Sequence, residues 1–314
     1  MGIGHHGEII QGYFDAGGTP AGECYGLVTL PCPDLISEAW VEQVDQAPGV
    51  VGEMRGHAKA KAAAIATLEA FDATRMGLRL RILSTIPVGH GFGSSSADVV
   101  ATIRAVCALL EVAITPHELA RFAVAAEIAA DPIMFEEPVL FAQRVGLVIE
   151  ELGPSLPQLQ VLGFYSAPDS RGVDTIARPP IQYSSEERRA FTLLRSQLAA
   201  AVRDGDAAGL GRVASASAEI SNRHLVVQQL DDFLEVAATV GAAGLQVAHS
   251  GDIAGLLFDG ADPGVTRRIG RAKQLLARCG VGATWLFSPD NAVGGDGSLP
   301  AMVGNARQMM RSGS

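Results

Sequence analysis

The sequence of 314 residues is poor in charge, in aromatic side chains and in cysteine. Charged types make up 18% of it and hydrophobic types 48%, which excludes a disordered tail or a highly charged coiled coil and specifies a globular chain long enough for two domains. Lys and Arg number 24 against 34 Asp and Glu, without a basic run, for a formal net charge of −10. Nucleic acid is therefore not an expected partner, because phosphate-backbone binding needs a concentrated cationic surface. No stretch approaches the ~18 uninterrupted apolar residues of a membrane span, so no membrane partner is expected either. The start, MGIGHHGEIIQG, lacks a basic segment followed by an apolar run, which leads to the expectation of a cytoplasmic protein. Cys24, Cys32, Cys107 and Cys279 form no C-x-x-C pair and no zinc spacing, so they are read as thiols outside any disulfide framework.

What is present is a mixture of short β-like runs and Ala-rich helices, with no internal repeat. Strands are predicted at 23–30, 36–44 and 78–84, and a helix at 57–71. A Pro/Gly/Ser turn follows the third strand and opens a helix with apolar residues at helical spacing. The next helix has Thr115 as cap, Pro116 at its first position and Glu118 placed for a capping box, and should run to about Ala130. A strand is expected at LVIEEL, and residues 153–158 (GPSLPQ) form the best candidate linker. Beyond it come a strand (QVLGFYS), a polar loop at 167–183, and a helix opened by Ser184 with Glu187, with more helix to about Ile220. Two apolar runs, 244–250 and 253–259, meet at Ser250-Gly251-Asp252 and read as a hairpin. A helix near 267–279 and a strand ATWLF complete an α+β second half.

The strongest chemical signal is PVGHGFGSSSA, residues 87–97. Gly89, Gly91 and Gly93 let backbone N–H groups approach a ligand, and Ser94, Ser95 and Ser96 follow at a helix start whose dipole favours anions. An isolated Gly/Ser cluster is commonly just a turn before a capped helix, but the order strand, small-residue loop, long helix selects phosphate. No Lys follows the glycines, so this is not a Walker A loop. Gly2, Gly4 and Gly7 satisfy G-x-G-x-x-G, yet no strand precedes them as a dinucleotide fold requires. The abrupt start implies that the first strand is short or that the true start lies upstream.

The segment 87–97 resembles the central motif of the GHMP small-molecule kinases: Pro87, three residues, then Gly91-Phe92-Gly93-Ser94-Ser95-Ser96-Ala97 for Pro-x-x-x-Gly-Leu-Gly-Ser-Ser-Ala, with Phe92 and Ser96 as departures. GHHGEIIQGYF, residues 4–14, resembles the G-x-x-G-E-L-x-Q-G segment of the L-threonine kinase branch, linked to cobalamin synthesis. VAHSGDIAGLLFD resembles the third family motif; His249, Ser250 and Gly251 match that branch, while Asp252 departs from the Ser or Thr expected there. The resemblance implies an α+β, two-domain GHMP kinase fold. Its N-terminal ATP-binding domain, 1–155, would be like ribosomal protein S5 domain 2, and its C-terminal domain, 156–314, ferredoxin-like. It also implies ATP as phosphoryl donor, Pro87 to Ser96 around its phosphates, and Mg²⁺ held by Ser95 and Glu127.

Glu127 and Asp131 stand four apart across a predicted helix end, so both can project toward one region. A solvated acidic pair at a helix terminus is the plain alternative, and such a pair also opposes the helix dipole. By resemblance Glu127 is a magnesium ligand and Asp131 orients or deprotonates the acceptor hydroxyl. For the acceptor, Glu8 and Gln11 offer partners for an ammonium or a hydroxyl. Ser221, Asn222 and Arg223 suit a carboxylate, or are simply a polar helix end. His6, Ser250, Gly251 and Asp252 complete the expected substrate contacts. Adjacent His5 and His6 diverge on a strand, so substrate contact or a structural role is favoured over metal binding. The expected activity is phosphorylation of the side-chain hydroxyl of a small amino acid, L-threonine first. Another small hydroxy acceptor, an ATP-dependent decarboxylase and a non-catalytic nucleotide-binding regulator are the alternatives, and a homodimer is left open.

Overall fold

A computed structural model describes residues 1–17, 22–45, 48–52, 56–166 and 181–290. In chain order its elements are β1 (Gly2–Asp15), β2 (Glu23–Val44), β3 (Gly49–Val51), α1 (Ala58–Ala70), β4 (Gly77–Ser84), α2 (Ser94–Leu109), α3 (Pro116–Glu127), β5 (Val139–Ala142) and β6 (Leu147–Glu151). There follow β7 (Leu159–Tyr165), α4 (Ser185–Asp204), α5 (Ala207–Asn222), α6 (Leu230–Val240), β8 (Gly244–Val247), β9 (Ile253–Asp259), α7 (Val265–Arg278) and β10 (Thr284–Phe287). The strands join one sheet in the order β10-β7-β9-β8-β1-β2-β4-β3, with the β5-β6 hairpin attached to β2 through Leu27 and Phe141. A single pairing, Glu8 with Val247, carries the sheet from the first half of the chain into the second.

Local sequence explains most of these elements. Thr115 and Glu118 exchange both capping-box hydrogen bonds at the start of α3, and Ser184 and Glu187 do the same for α4, satisfying backbone donors that a helix start leaves open. Helix α7 buries Val265, Ile269, Ala272 and Leu276, one stripe at helical spacing, against a core that includes Phe164, Phe233, Leu256 and Phe258. A larger core runs through the first half under α2, with Ile9, Val28, Val100 and Phe141 fully or almost fully buried. The four cysteines are free, and no described helix is long and apolar enough to cross a membrane.

Three sequence expectations change. The first strand is not short: β1 runs for 14 residues. The two strands expected at 23–30 and 36–44 form one continuous strand, because β2 keeps pairing with β1 past its prolines by looping residues 33–35 out between the Ile3-Ile36 and Gly4-Cys32 pairs. Helix α6 is absent from the expected elements, although Leu230, Phe233, Val236, Ala237 and Val240 recur at helical spacing and Gly241 stops it in the left-handed conformation, φ 65°. The polar loop at 167–183 lies mostly outside the described residues.

Irregularities in β1 prepare the site. Between the pairs His5-Pro31 and Glu8-Thr29 strand β1 holds one residue more than β2, a bulge, and a second follows at Ile9. Gly7 occupies the first bulge with φ 66°, where a Cβ would also collide with Gln246 and Ala248 of the neighbouring strand. On a regular strand residues 5 and 8 would face opposite sides; the extra residue turns both toward the same space.

Candidate active site

A cavity of about 570 Å³ opens between the 89–96 loop, the start of α1, the end of α3, β1 and the β8-β9 turn. Gly89, Gly91 and Gly93 line it with φ of 83°, 82° and 72°. At Gly93 the backbone requires glycine twice over, since the residue is left-handed and a Cβ would run into the His5 imidazole. Gly93 is also the N-cap of α2 and offers no side-chain cap, so the first N–H groups of that helix are left for an anionic ligand. Ser94, Ser95 and Ser96 line the same space.

The two expected carboxylates meet at the serines. Ser95 Oγ donates to Glu127 Oε2 at 2.8 Å, and Ser96 Oγ approaches Glu127 Oε1 at 2.8 Å and Asp131 Oδ2 at 3.2 Å while accepting from the Asp131 N–H at 3.1 Å. Glu127 is the last residue of α3, and the chain turns out of the helix through Ile128 at φ 71°. A β-branched residue in that region is strained, here between the two carboxylates. Burial pushes the Glu127 carboxyl up to about 7, against the Ser96 and Ser95 hydroxyls and Lys59. Lys59, from the first turn of α1, reaches Glu127 Oε2 at 3.8 Å. The Asp131 carboxyl would be raised by burial, but the charge and hydrogen bond of His5 outweigh that and hold it below the usual range.

Glu8 also lines the cavity and accepts from the backbone N–H of His249. Burial pushes its carboxyl up to about 8, with His5 pulling the other way. Ser250 lines the cavity from the β8-β9 turn, and a Cβ at Gly91 would strike its Oγ, so turn and glycine loop touch. Gly251 makes the turn itself, φ 82°, with its N–H bonded to the Ala248 carbonyl at 2.8 Å.

Several expected contacts lie elsewhere. His6 is fully buried on the opposite face from His5, packed against Phe92, Trp285 and Phe287, and burial pushes its imidazole down to about 3; it is a neutral core ring that does not line the cavity. Phe92 is buried with it and anchors the loop from beneath, while Pro87 is not among the lining residues. Gln11 is held by the Tyr25 hydroxyl at 2.9 Å and by His249 Nδ1 at 3.0 Å, behind the cavity wall. Asn222 Oδ1 accepts the Val227 N–H, and Arg223 lies 3.6 Å from Glu187, so that polar cluster closes on itself as a helix end does. Asp252 is buried outside the cavity lining, with its carbonyl accepting the Ser166 N–H at 2.9 Å.

The sequence reading missed other lining residues. Besides Lys59 they include His57, whose Nδ1 lies 2.7 Å from Asp98 Oδ2, with Ser37 Oγ donating to Asp98 Oδ1 at 2.5 Å; His5, read from the sequence as a substrate contact or a structural residue, lines the cavity too. Only Lys59 carried a usable sign, a cation one turn into a helix beside the loop.

The site thus joins a left-handed glycine loop, the helix it opens and serine hydroxyls set on a buried carboxylate, all on an α+β sheet. The family description "GHMP kinases N terminal domain" matches residues 58–135. L-threonine kinase of Citrobacter freundii is 29% identical over 185 residues, 58% of this chain and 62% of that enzyme, so the match spans less than two thirds of its length. Among solved structures, homoserine kinase from Cytophaga hutchinsonii superposes with a TM-score of 0.62 at 17% identity, over 85% of this chain and 87% of that one. L. major mevalonate kinase, in complex with R-mevalonate, gives 0.62 at 16%, over 93% and 96%. The chain has the GHMP kinase fold, and its residues 58–135 match the N-terminal domain of that family. Its likeness to L-threonine kinase agrees with the GEIIQG segment that carries Glu8.

Proposed function

We propose that this protein is an ATP-dependent phosphotransferase acting on the side-chain hydroxyl of a small amino acid, with L-threonine the first candidate. The observation that carries the reading is the convergence of the 91–96 loop, Ser95, Glu127 and Asp131 on one cavity. The loop N–H groups and the N-terminus of α2 would cradle the phosphates of ATP. Ser95 and Glu127 present oxygen donors only, and among the described residues Lys59 alone forms an ion pair with the buried Glu127, a donor set that fits Mg²⁺. When bound there, Mg²⁺ supplies charge neutralisation to phosphates that an anionic protein would otherwise repel.

Phosphoryl transfer is loose and largely dissociative, so positioning and charge matter more than a strong base. The acceptor hydroxyl attacks the γ-phosphorus; the O–P bond forms as the bond to the β-phosphate oxygen breaks and ADP leaves with the electron pair. The hydroxyl proton passes to Asp131, ionised and aimed into the cavity. Glu8, whose carboxyl burial raises to about 8 in the empty cavity, would ionise beside an ammonium on the acceptor, which favours an amino acid over an uncharged alcohol. Residues 1–155 would hold the nucleotide and residues 156–314 would close the cavity through the β8-β9 turn. Glu8 and Ser250 remain as acceptor contacts in this reading; Gly251 shapes the turn without lining the cavity, and Gln11, Asn222, His6 and Asp252 do not line it either.

The test is ADP release with ATP and Mg²⁺ against L-threonine, L-serine, L-homoserine and their D-forms, with phosphorus NMR of the product. A stable phosphate ester on the L-threonine hydroxyl is expected. Release of carbon dioxide would select the decarboxylase reading, and failure to bind ATP-Mg²⁺ at millimolar concentration the non-catalytic one.

A further inference from the structure

The reaction proposed above uses Asp131 but says nothing of what holds it in place. His5 Nε2 lies 3.0 Å from Asp131 Oδ2, and the imidazole is buried, 3% exposed. The same residue has three further neighbours. Its backbone N–H donates to the Phe92 carbonyl at 3.1 Å, its ring fills the space that a Gly93 Cβ would need, and its Nδ1 faces Glu8 Oε1 at 3.9 Å. One side-chain contact to Asp131, one backbone hydrogen bond to Phe92 and a ring packed against Gly93 link the glycine loop to the carboxylates, while Nδ1 has no hydrogen-bond partner of its own.

We infer that His5 is the positioning residue that ties Asp131 to the phosphate loop, so that the acceptor oxygen and the γ-phosphorus are held in one frame. The inference rests on the phosphotransferase reading, and it adds a residue that neither motif nor likeness marks. The β1 bulge at Gly7 is what makes it possible, because it brings His5 and Glu8 to one side of the strand. Burial would push the imidazole down, but Asp131 and its hydrogen bond, then Glu8, push it up to about 9, so His5 is cationic at neutral pH and its Nε2–H is a donor to the carboxylate. A charge-assisted bond of this kind both ionises Asp131 and restricts its rotamer, and a misplaced reacting group costs rate without loss of binding.

The experiment compares the wild-type protein with H5A, H5Q and D131N. In H5Q the side-chain amide keeps a donor near the Nε2 position, whereas H5A removes it. H5A is expected to lower kcat by ~10–100-fold, the usual cost of losing an orienting partner, with the Kd for ATP-Mg²⁺ unchanged and H5Q recovering most of the loss. Added imidazole should partly restore H5A. In wild-type protein a downfield imidazole N–H proton resonance should be present and should vanish in D131N. This NMR readout needs no acceptor, so silence of the wild type across the amino-acid panel would sink the substrate reading while the resonance still decides the role of His5. The inference is overturned if the resonance survives D131N, or if H5A keeps wild-type kcat. It is also overturned if H5A and H5Q lose ATP-Mg²⁺ binding equally. His5, Glu8 and Asp131 also place ligand atoms within 4.8 Å of one another. Stoichiometric Mn²⁺ binding without nucleotide, lost in H5A and kept in E127Q, would make them a metal site and overturn the inference as well.

Discussion

Two polar clusters, one around the cavity and one where α4 begins and α5 ends, have similar composition and opposite meaning. On one side Ser95, Ser96, Glu127, Asp131, His5 and Glu8 converge on an open cavity, with buried carboxylates pushed away from their ordinary pKa values. On the other, Glu187, His224, Arg223 and Asn222 pair among themselves and with the backbone: His224 Nε2 is 3.0 Å from Glu187 Oε1, and Asn222 takes the Val227 N–H. Residue type does not separate the two. What separates them is spare hydrogen-bonding and charge capacity facing an empty volume, which costs stability and persists only where a ligand uses it.

Substitutions can break or sharpen this contrast. The largest effect is expected from E127Q and S95A, each of which should lower kcat by at least ~10²-fold, the scale of removing one preorganised charge contact in a water-poor site, while circular dichroism and Tm stay close to wild type. D131N should come next, with a fall in kcat of about 10²-fold and little change in the affinity for ATP-Mg²⁺, as for loss of a single proton acceptor. Asn222→Ala on the closed side should do the reverse, costing about 1 kcal/mol by denaturant titration with kcat unchanged.

Smaller shifts concern the cavity without ligand. His5, raised to about 9 from 6.5, and Glu8, raised to about 8 from 4.5, both bind their protons more tightly in the folded protein. Stability from such groups is complete below the ordinary pKa and is lost as pH rises through the folded one, so Tm should fall from pH 4.5 to about 8 through Glu8 and from 6.5 to about 9 through His5. H5Q should flatten the upper part of that slope. Least of all, Ile128→Gly should raise stability by about 1 kcal/mol, by relieving a β-branched residue at φ 71°, and an unchanged or lowered Tm would show that the strain is absorbed elsewhere.

The uneven legibility of the molecule has the same origin. The 87–97 segment could be read because its glycines, serines and following helix are contiguous, so local spacing fixes their geometry. Glu127 and Asp131 were readable for the same reason, as neighbours across one helix end. His5 was not, because its direction depends on a bulge whose glycine is set against Gln246 and Ala248, some 240 residues away. An alternating strand puts His5 and Glu8 on opposite faces, and only the paired sheet shows the extra residue. The His57-Asp98-Ser37 chain likewise joins three elements that no sequence spacing connects. Asn222 misled in the opposite direction: its chemistry suits a carboxylate, but a helix end had already claimed it.

The central claim is that the open cluster, and not the closed one, performs phosphoryl transfer. The direct measurement is kcat for ATP-dependent phosphorylation in E127Q and Asn222→Ala side by side, with ATP-Mg²⁺ binding followed in both. Loss of turnover in E127Q with full turnover in Asn222→Ala is the predicted result. Wild-type turnover in E127Q, or an equal loss in both variants, would contradict the account.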